Sequence, residues 1–448
     1  MYELVNWIVR RLKKIVPEPV VRPLRPAYHA TLGFLMALSY GFPARRLTVL
    51  AVTGTKGKST TAEMLFAILR AAGHKTALIS TIRFAIEGDS EPNRYKMTLH
   101  GRGFAQFFMR KALRAGCTHV VIEVTSESVL NYRHRFLDFD GLIVTNIQRE
   151  HIESHGSFEN YVAAKRAIVA ALERSPKPNR VLVANEDVPE TKAFLSARVS
   201  QAIGFGEREC AGLAADDTHV AFSYDGAHFS IPIAGAFNAL NALAAVKMGA
   251  AFGVTPAIAA EALANLPAVR GRVERVDAGQ DFLAIVDYAH TPDSLRALYG
   301  AYTPRQSSEP KRKLICVLGN TGGGRDTWKR PEMGRIADES CDEVFLTNED
   351  PYDEDPQKII EEMAAGMKRT PIVIMDRREA IRAALQLALR MSGGAQPLDV
   401  ARGAGNQDVV VLISGKGTDP FIMEAAGKKT PWSDAAVVRE ELEQLVRH

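Results

Sequence analysis

From Leu47 onward the chain alternates short apolar runs with stretches of helical spacing. The apolar runs fall at Leu47–Thr53, Thr76–Thr81, His119–Thr125, Gly141–Asn146 and Val181–Asn185. Between them, Ser59–Ala72, Gly103–Ala115 and Phe158–Glu173 carry apolar residues three and four apart. Runs of the first kind read as buried strands and those of the second as helices. Strands alternating with helices predict a parallel sheet covered on both faces. Thr218–Ile233 alternates residue by residue, which predicts a short antiparallel section, and Phe237–Phe252 reads as an Ala-rich helix. Pro and Gly interrupt the pattern at Asn265–Arg272 (NLPAVRGR), the signature of a domain boundary. A second series follows, with strands expected at Leu283–Asp287, Leu314–Gly319, Glu343–Thr347, Ile372–Met375 and Val409–Ser414. Ser392–Gln407 is polar and Gly-rich and reads as a surface loop. No internal repeat or long low-complexity tract is evident.

The N-terminal stretch follows other rules. Trp7–Val16 (WIVRRLKKIV) is basic and amphipathic, and Ala27–Phe42 is mostly apolar. The second run falls short of the ~20 residues a spanning helix needs and contains His29. No small-residue cleavage site follows a simple apolar core, which argues against a signal peptide. Two readings stay open: a helix packed on the body of the protein, or a peripheral membrane contact through the basic face.

Charge narrows the function classes. The 56 basic and 52 acidic residues leave a net +4, which gives no support for bulk nucleic-acid binding. Cys117, Cys210, Cys316 and Cys341 are far apart in sequence. They form no close metal-ligand pair and show no sign of a secreted disulfide framework, so a reducing cytoplasm is the expected compartment.

The first strand runs into AVTGTKGKSTT (Ala51–Thr61), and a helix leaves from Ser59. A strand, a glycine-rich turn and a helix start make an anion site, because free backbone N–H groups and the helix dipole face the turn. Lys58 would reach terminal phosphates, and the Ser59 hydroxyl would ligate Mg²⁺. The general P-loop has four residues between its first Gly and the Gly-Lys pair. Here Gly54 and Gly57 enclose only Thr55 and Lys56.

That shortened loop, TGTKGKST, resembles the T-G-T-x-G-K-[ST] loop of the Mur ligases and their relatives the folylpolyglutamate synthetases. Other segments follow in the family's order. IEVTSES (Ile122–Ser128) resembles E-V-S-S-H, and TNIQREHIESHGSFENYVAAK (Thr145–Lys165) resembles T-N-[LI]-x-x-D-H-L-D-x-H-G with the lysine that follows it. GAFNALNALAA (Gly235–Ala245), GRVE (Gly271–Glu274) and DYAHTPDSL (Asp287–Leu295) match further segments. LGNTGGGRDTWKRPEMG (Leu318–Gly334) and SGKGTD (Ser414–Asp419) resemble runs of the UDP-N-acetylmuramoyl-tripeptide synthetase (MurE) branch. The resemblance covers Leu47 to the C-terminus.

It implies an α/β protein with an N-terminal helical segment (1–46), a central P-loop ATP-binding ligase domain (47–268) and a C-terminal Rossmann-like amino-acid-binding domain (269–448). It implies an ATP-dependent, ADP-forming ligase that activates a muropeptide-like carboxylate as an acyl phosphate and joins it to an amino acid. Gly54, Thr55, Lys56, Gly57, Lys58, Ser59 and Thr60 would hold the phosphates. Asn238 and Asn241 would lie at adenine, although two asparagines on a helix also fit a cap and an exposed position. Arg272, Asp287 and His290 would complete the nucleotide site, with Asp287 at ribose. Ser59, Glu123, His151 and a carbamylated Lys165 would hold Mg²⁺, and Lys58, Glu123, His151 and Lys165 would carry the catalysis. Thr98, Thr125, Ser126, Arg325, Asp350, Tyr352, Lys416 and Asp419 would contact the substrates.

Three departures from the family pattern stand out. Only 46 residues precede Leu47, too few for the family's UDP-binding domain, so the acceptor could be held by other means, a partner chain included. The amino-acid specificity segment, D-N-P-R in the diaminopimelate enzymes, reads EDPY (Glu349–Tyr352) and runs into Asp353, Glu354 and Asp355. Tyr352 cannot form the two-bond fork that Arg makes with a carboxylate. A pocket that has lost a cation and kept acids suits a basic amino acid such as lysine, while acidic runs are also commonly just solvated. Finally, Glu127 and Gly324 replace a family His and Asp. Two other readings remain: a ligase of the same superfamily outside cell-wall synthesis, of folylpolyglutamate or amino-acid-polymer type, and a nucleotide-binding partner without catalysis.

Overall fold

A computed structural model describes residues 18–95, 97–101, 103–150, 155–303, 312–324, 326–392 and 408–446, with side chains from residue 28 onward. Trp7–Val16, His151, Arg325 and nearly all of the Ser392–Gln407 loop lie outside the described residues. The chain falls into two compact units that divide between Leu266 and Pro267, with Ala215–Val220 and Ile233–Ala236 grouped with the second.

The first unit is built on an eight-stranded sheet. Its strands are β1 (Thr48–Thr53), β2 (Thr76–Ile79), β3 (Arg83–Ile86), β4 (Asp89–Pro92), β5 (His119–Glu123), β6 (Gly141–Val144), β7 (Val181–Asn185) and β8 (Gln201–Phe205), in the order β4-β3-β2-β5-β1-β6-β7-β8. The six from β2 to β8 in that order run parallel, as the alternation predicts, and β3 and β4 add an antiparallel edge. The five strands predicted for this unit are wholly buried apart from Thr48 at the start of β1, which is why they read as continuous apolar runs. One face carries the helices Phe104–Arg114 and Phe158–Glu173. The helix Lys58–Ala71 packs against Phe237–Ala251. Alanine and glycine permit the close approach: a Cβ on Gly249 would stand 2.9 Å from Ile68 Cγ2. A small three-stranded sheet follows, β9 (Ala211–Ala215), β10 (Val220–Tyr224) and β11 (Ala227–Ile231).

From β1 the chain crosses over β5 to reach β2, and from β5 it crosses β1 to reach β6. The connections therefore diverge around β1, and in open α/β sheets ligands bind at the carboxyl ends of the strands at such a switch.

The second unit has a six-stranded sheet of β12 (Glu274–Arg275), β13 (Leu283–Asp287), β14 (Lys313–Leu318), β15 (Glu343–Leu346), β16 (Ile372–Val373) and β17 (Val409–Ser414). The order is β12-β13-β17-β14-β15-β16, parallel except for β12. Pro292–Tyr302, Lys329–Ser340 and Pro356–Ala364 cover one face, and Arg377–Met391 and Asp434–Val446 the other. Cys316 in β14 and Cys341 before β15 form a disulfide, with Cα atoms 6.1 Å apart. The sequence shows no sign of a disulfide framework, because the four cysteines lie far apart in it; the fold brings these two together. The 25-residue separation spans a helical crossover that returns the chain beside its own starting strand.

Candidate active site

At the end of β1 the chain enters the loop Gly54–Gly57, and the helix Lys58–Ala71 begins. Gly57 is its N-cap, left-handed at φ 78°, and supplies no side-chain cap to the first-turn N–H groups. A side chain there would be strained, and its Cβ would fall 2.2 Å from Asn241 Oδ1. Gly54 is equally constrained, since a Cβ would overlap Thr145 Oγ1.

The loop is tied to the segment after β6. Asn146 accepts from Thr55 N at 2.9 Å through its carbonyl and from Lys56 N at 2.9 Å through Oδ1. Thr145 Oγ1 donates to Lys56 O at 2.6 Å, and the Lys56 ammonium pairs with Glu150 at 2.9 Å. Thr55 Oγ1 lies 2.8 Å from the Tyr161 hydroxyl. Lys58 Nζ curls back to Thr55 O at 2.8 Å. Glu150, Asn146 and Tyr161 were not singled out from the sequence. For Glu150 the signal was present, because it stands where the family segment carries Asp.

β5 delivers Glu123 beside the loop. Its buried Oε2 accepts from Ser59 Oγ at 3.1 Å and from Thr81 N at 2.9 Å. Thr98 is joined to this pair through Thr81, hydroxyl to hydroxyl at 2.7 Å. Thr125 caps the short helix Ser126–Leu130, and the Ser126 hydroxyl lies 3.1 Å from His155 Nε2. Ser59 and Glu123 supply hard oxygen donors of the kind Mg²⁺ prefers. Among the described residues no group of three or more His, Cys, Asp or Glu could hold a metal ion.

Lys165 comes from Phe158–Glu173 and is fully buried. Its ammonium donates to Thr53 Oγ1 at 3.1 Å and to Gly54 O at 2.9 Å. Burial, and then the nearby Lys58 charge, holds this amine well below the usual lysine range. Asn238 and Asn241, also buried, bond to each other at 2.9 Å, and Thr61 donates to Asn241 at 3.3 Å. They brace the loop.

In the second unit, the Lys416 ammonium is buried between Asp350 (2.7 Å), Asp419 (3.4 Å) and the Phe421 carbonyl (2.7 Å). Asp350 also accepts from Met423 N at 2.7 Å. The expectation was that Asp350 and Asp419 would meet a substrate ammonium; here the protein's own Lys416 already faces both aspartates. The acidic run that follows is structural too. Glu354 pairs with the buried Arg330, Asp355 caps the helix Pro356–Ala364, and Asp353 accepts from Ala426 N. Tyr352 sits at φ 54°, an uncommon backbone for a non-glycine residue. Glu349 is buried, and burial raises its carboxyl above the ordinary value. Asp287 uses one oxygen for Val273 N (2.8 Å) and the other for Ala289 N (2.7 Å). Arg272 lies over the Tyr288 ring at 4.4 Å, and His290 Nδ1 is 2.6 Å from Tyr288 O.

The Mur ligase middle domain matches residues 52–249, and the Mur ligase glutamate ligase domain matches residues 271–417. The chain belongs to the Mur ligase family. The UDP-N-acetylmuramoyl-L-alanyl-D-glutamate–2,6-diaminopimelate ligase of Solibacter usitatus is 34% identical over 91% of this chain and 80% of its own length. The UDP-N-acetylmuramyl-tripeptide synthetase of a Roseiflexus species is 34% identical over 99% and 87%. Among solved structures, a UDP-N-acetylmuramoyl-L-alanyl-D-glutamate–2,6-diaminopimelate ligase superposes with a TM-score of 0.58 at 24% identity, covering 90% of this chain and 79% of that one. The ADP complex of Mycobacterium tuberculosis folylpolyglutamate synthase superposes at 0.66 with 17% identity, covering 94% and 97%. At these identities the structural likeness shows the fold alone. In this Mur ligase the loop, Ser59, Glu123 and Lys165 converge at the carboxyl ends of β1 and β5.

Proposed function

We propose that this Mur ligase is an ATP-dependent, ADP-forming ligase that joins a muropeptide-like carboxylate to an amino acid in peptidoglycan precursor synthesis, working in the cytoplasm. The observation that carries the reading is the contact between Ser59 and Glu123 at the mouth of an uncapped helix start. A phosphate-binding turn and a buried carboxylate meet there, as a magnesium nucleotide requires.

In this reading residues 47–268 bind ATP and 269–448 bind the amino acid. The first-turn N–H groups and Lys58 orient the terminal phosphates, and Ser59 and Glu123 would hold Mg²⁺, which would neutralise charge on the phosphates and the carboxylate. The carboxylate oxygen attacks the γ-phosphorus, ADP leaves, and an acyl phosphate forms. The amino acid's amine then attacks the acyl carbon, inorganic phosphate departs, and the amine loses its proton. Lys165, once carbamylated, would present an anion beside the same site. The amino acid is one with a side-chain ammonium, because Tyr352 offers no fork for a distal carboxylate while Asp350 and Asp419 both stand beside the Lys416 ammonium.

The test is ADP release by the purified chain with Mg²⁺, UDP-linked muramoyl dipeptide and single amino acids, with product masses measured. ADP is expected only when both co-substrates are present. Turnover with folate and glutamate instead would move the chain to the other branch of the superfamily, and no ADP with any pair would end the ligase reading.

A further inference from the structure

The helix Glu18–Ser39 has two faces of different character. Met36 and Ala37 are buried, a Cβ on Gly33 would lie 3.6 Å from the Phe136 ring, and Gly103 approaches so closely that its Cβ would overlap Met36. That face is packed on the first unit. The other face carries Tyr28, Phe34, Leu35 and Leu38, spaced as one helical stripe, with Leu35 50% and Leu38 55% exposed. Phe107, on the helix Phe104–Arg114, is exposed beside it, its ring 6.1 Å from that of Tyr40. Isolated surface leucines need no account, but a row of large apolar side chains marks an interaction surface.

The exposed charges that flank this row are mainly positive. Lys111 and Arg114 follow Phe107 on its own helix face, and Arg45 and Arg46 follow the apolar helix, all four exposed. Asp138 is the acid paired with Arg45. In sequence, residues 1–46 hold eight basic residues (Arg10, Arg11, Lys13, Lys14, Arg22, Arg25, Arg45, Arg46) against Glu3 and Glu18, a net +6. The whole chain is +4, so the other 402 residues sum to −2. Positive charge is thus concentrated in the segment that bears the apolar stripe. An apolar stripe fringed by cations fits the headgroup boundary of an anionic bilayer, where apolar insertion and charge attraction add. A second copy of the same face would bring like charges together.

We propose that this face, centred on Phe34, Leu35, Leu38 and Phe107, docks the protein on an anionic lipid surface. The inference stands independently of the ligase reading. No helix among the described residues is long and apolar enough to cross a membrane, so the contact is interfacial.

The test is co-sedimentation of the full chain with phosphatidylcholine vesicles, with and without phosphatidylglycerol. Binding is expected only with the anionic lipid and should weaken as salt rises. Leu35→Glu combined with Leu38→Glu should lower the partition coefficient about tenfold or more without changing the melting temperature, since both sites are exposed. A Leu38→Cys variant should label with a thiol reagent in free solution and be protected by anionic vesicles. The native cysteines are buried or disulfide-bonded, so the label reports the new site. No binding to anionic vesicles, or equal binding by the double variant, overturns the proposal. So does protection of the introduced thiol without lipid, which would mean that another part of the chain or a second copy covers the face.

Discussion

The Ser59 hydroxyl and the Glu123 carboxylate meet at 3.1 Å across 64 residues of sequence, one at the start of a helix and the other at the end of β5. The same Glu123 oxygen accepts from Thr81 N, so the carboxylate is oriented from two sides. Glu123→Gln keeps the shape and removes the charge. It should raise the Mg²⁺ concentration needed for half-maximal ADP formation by about 10–100-fold, and chelation should abolish turnover of the parent protein until Mg²⁺ is restored. A variant with the parent's Mg²⁺ dependence would remove Glu123 from the metal site.

The Lys58 ammonium bonds to a backbone carbonyl of its own loop, a contact local in sequence. Lys58→Ala should cut ADP formation by about 100-fold or more, the scale of losing a donor to developing charge, and should leave the protein folded with a melting temperature close to the parent's. Near-normal turnover would mean that this loop does not hold the transferred phosphate.

Lys165 gives a pH prediction with a definite sign. Its folded-state amine is held below the ordinary lysine range, so the folded protein binds fewer protons than the unfolded chain between that depressed value and about 10.5. Stability from this group should therefore rise with pH through that window, and Lys165→Met should flatten the rise in denaturant titrations. A neutral amine is also the form that adds to carbon dioxide, forming an N–C bond and releasing one proton. Carbon-13 spectroscopy after labelled bicarbonate should show a carbamate, and short carboxylates should partly restore Lys165→Ala. An unassisted, fully active Lys165→Ala would exclude the residue from the reaction.

The two sheets were legible because most of their parallel strands are buried on both faces and so read as unbroken apolar runs. β3 and the edge strands β4 and β8 were not: β4 reads DSEP and is exposed throughout, and the first four residues of β8 are not fully buried. The loop could be picked out because its chemistry is local in sequence, and Glu123 because its segment resembles the family's E-V-S-S-H. What sequence could not supply was pairing over distance. Lys416 between Asp350 and Asp419, and Arg330 against Glu354, turn residues that look like a free acidic patch into internal ion pairs. The Cys316–Cys341 bond was hidden for the same reason.

At Tyr352 the backbone is already in the left-handed region, so Arg there meets no new backbone strain. Tyr352→Arg should shift preference from lysine toward meso-diaminopimelate by offering the second carboxylate a fork. The comparison is kcat/KM for the two amino acids. Should the parent already favour meso-diaminopimelate, the pocket reading fails. Lys416→Met, which takes the ammonium away from the buried Asp350, should cost about 3–5 kcal/mol of stability in chemical denaturation.

The disulfide closes a loop of 25 residues, for which chain entropy gives about 3.5 kcal/mol. Cys316→Ala with Cys341→Ala should lower the melting temperature, and thiol counting before and after unfolding should find two fewer thiols in the parent than in its reduced form. Both sulfurs are buried, which restricts attack by external thiolates. Equal counts would mean that the pair stays reduced.

The bracing of the phosphate loop has a consequence for biosynthesis. Residues 54–60 leave the ribosome early, yet Gly54 O is held by Lys165 and Gly57 abuts Asn241. Domains generally fold as units during synthesis, and here the nucleotide cradle is finished only when a helix nearly two hundred residues downstream arrives. A nascent chain halted before Asn241 should carry the complete loop motif and retain no ATP, so a truncated product cannot sequester nucleotide.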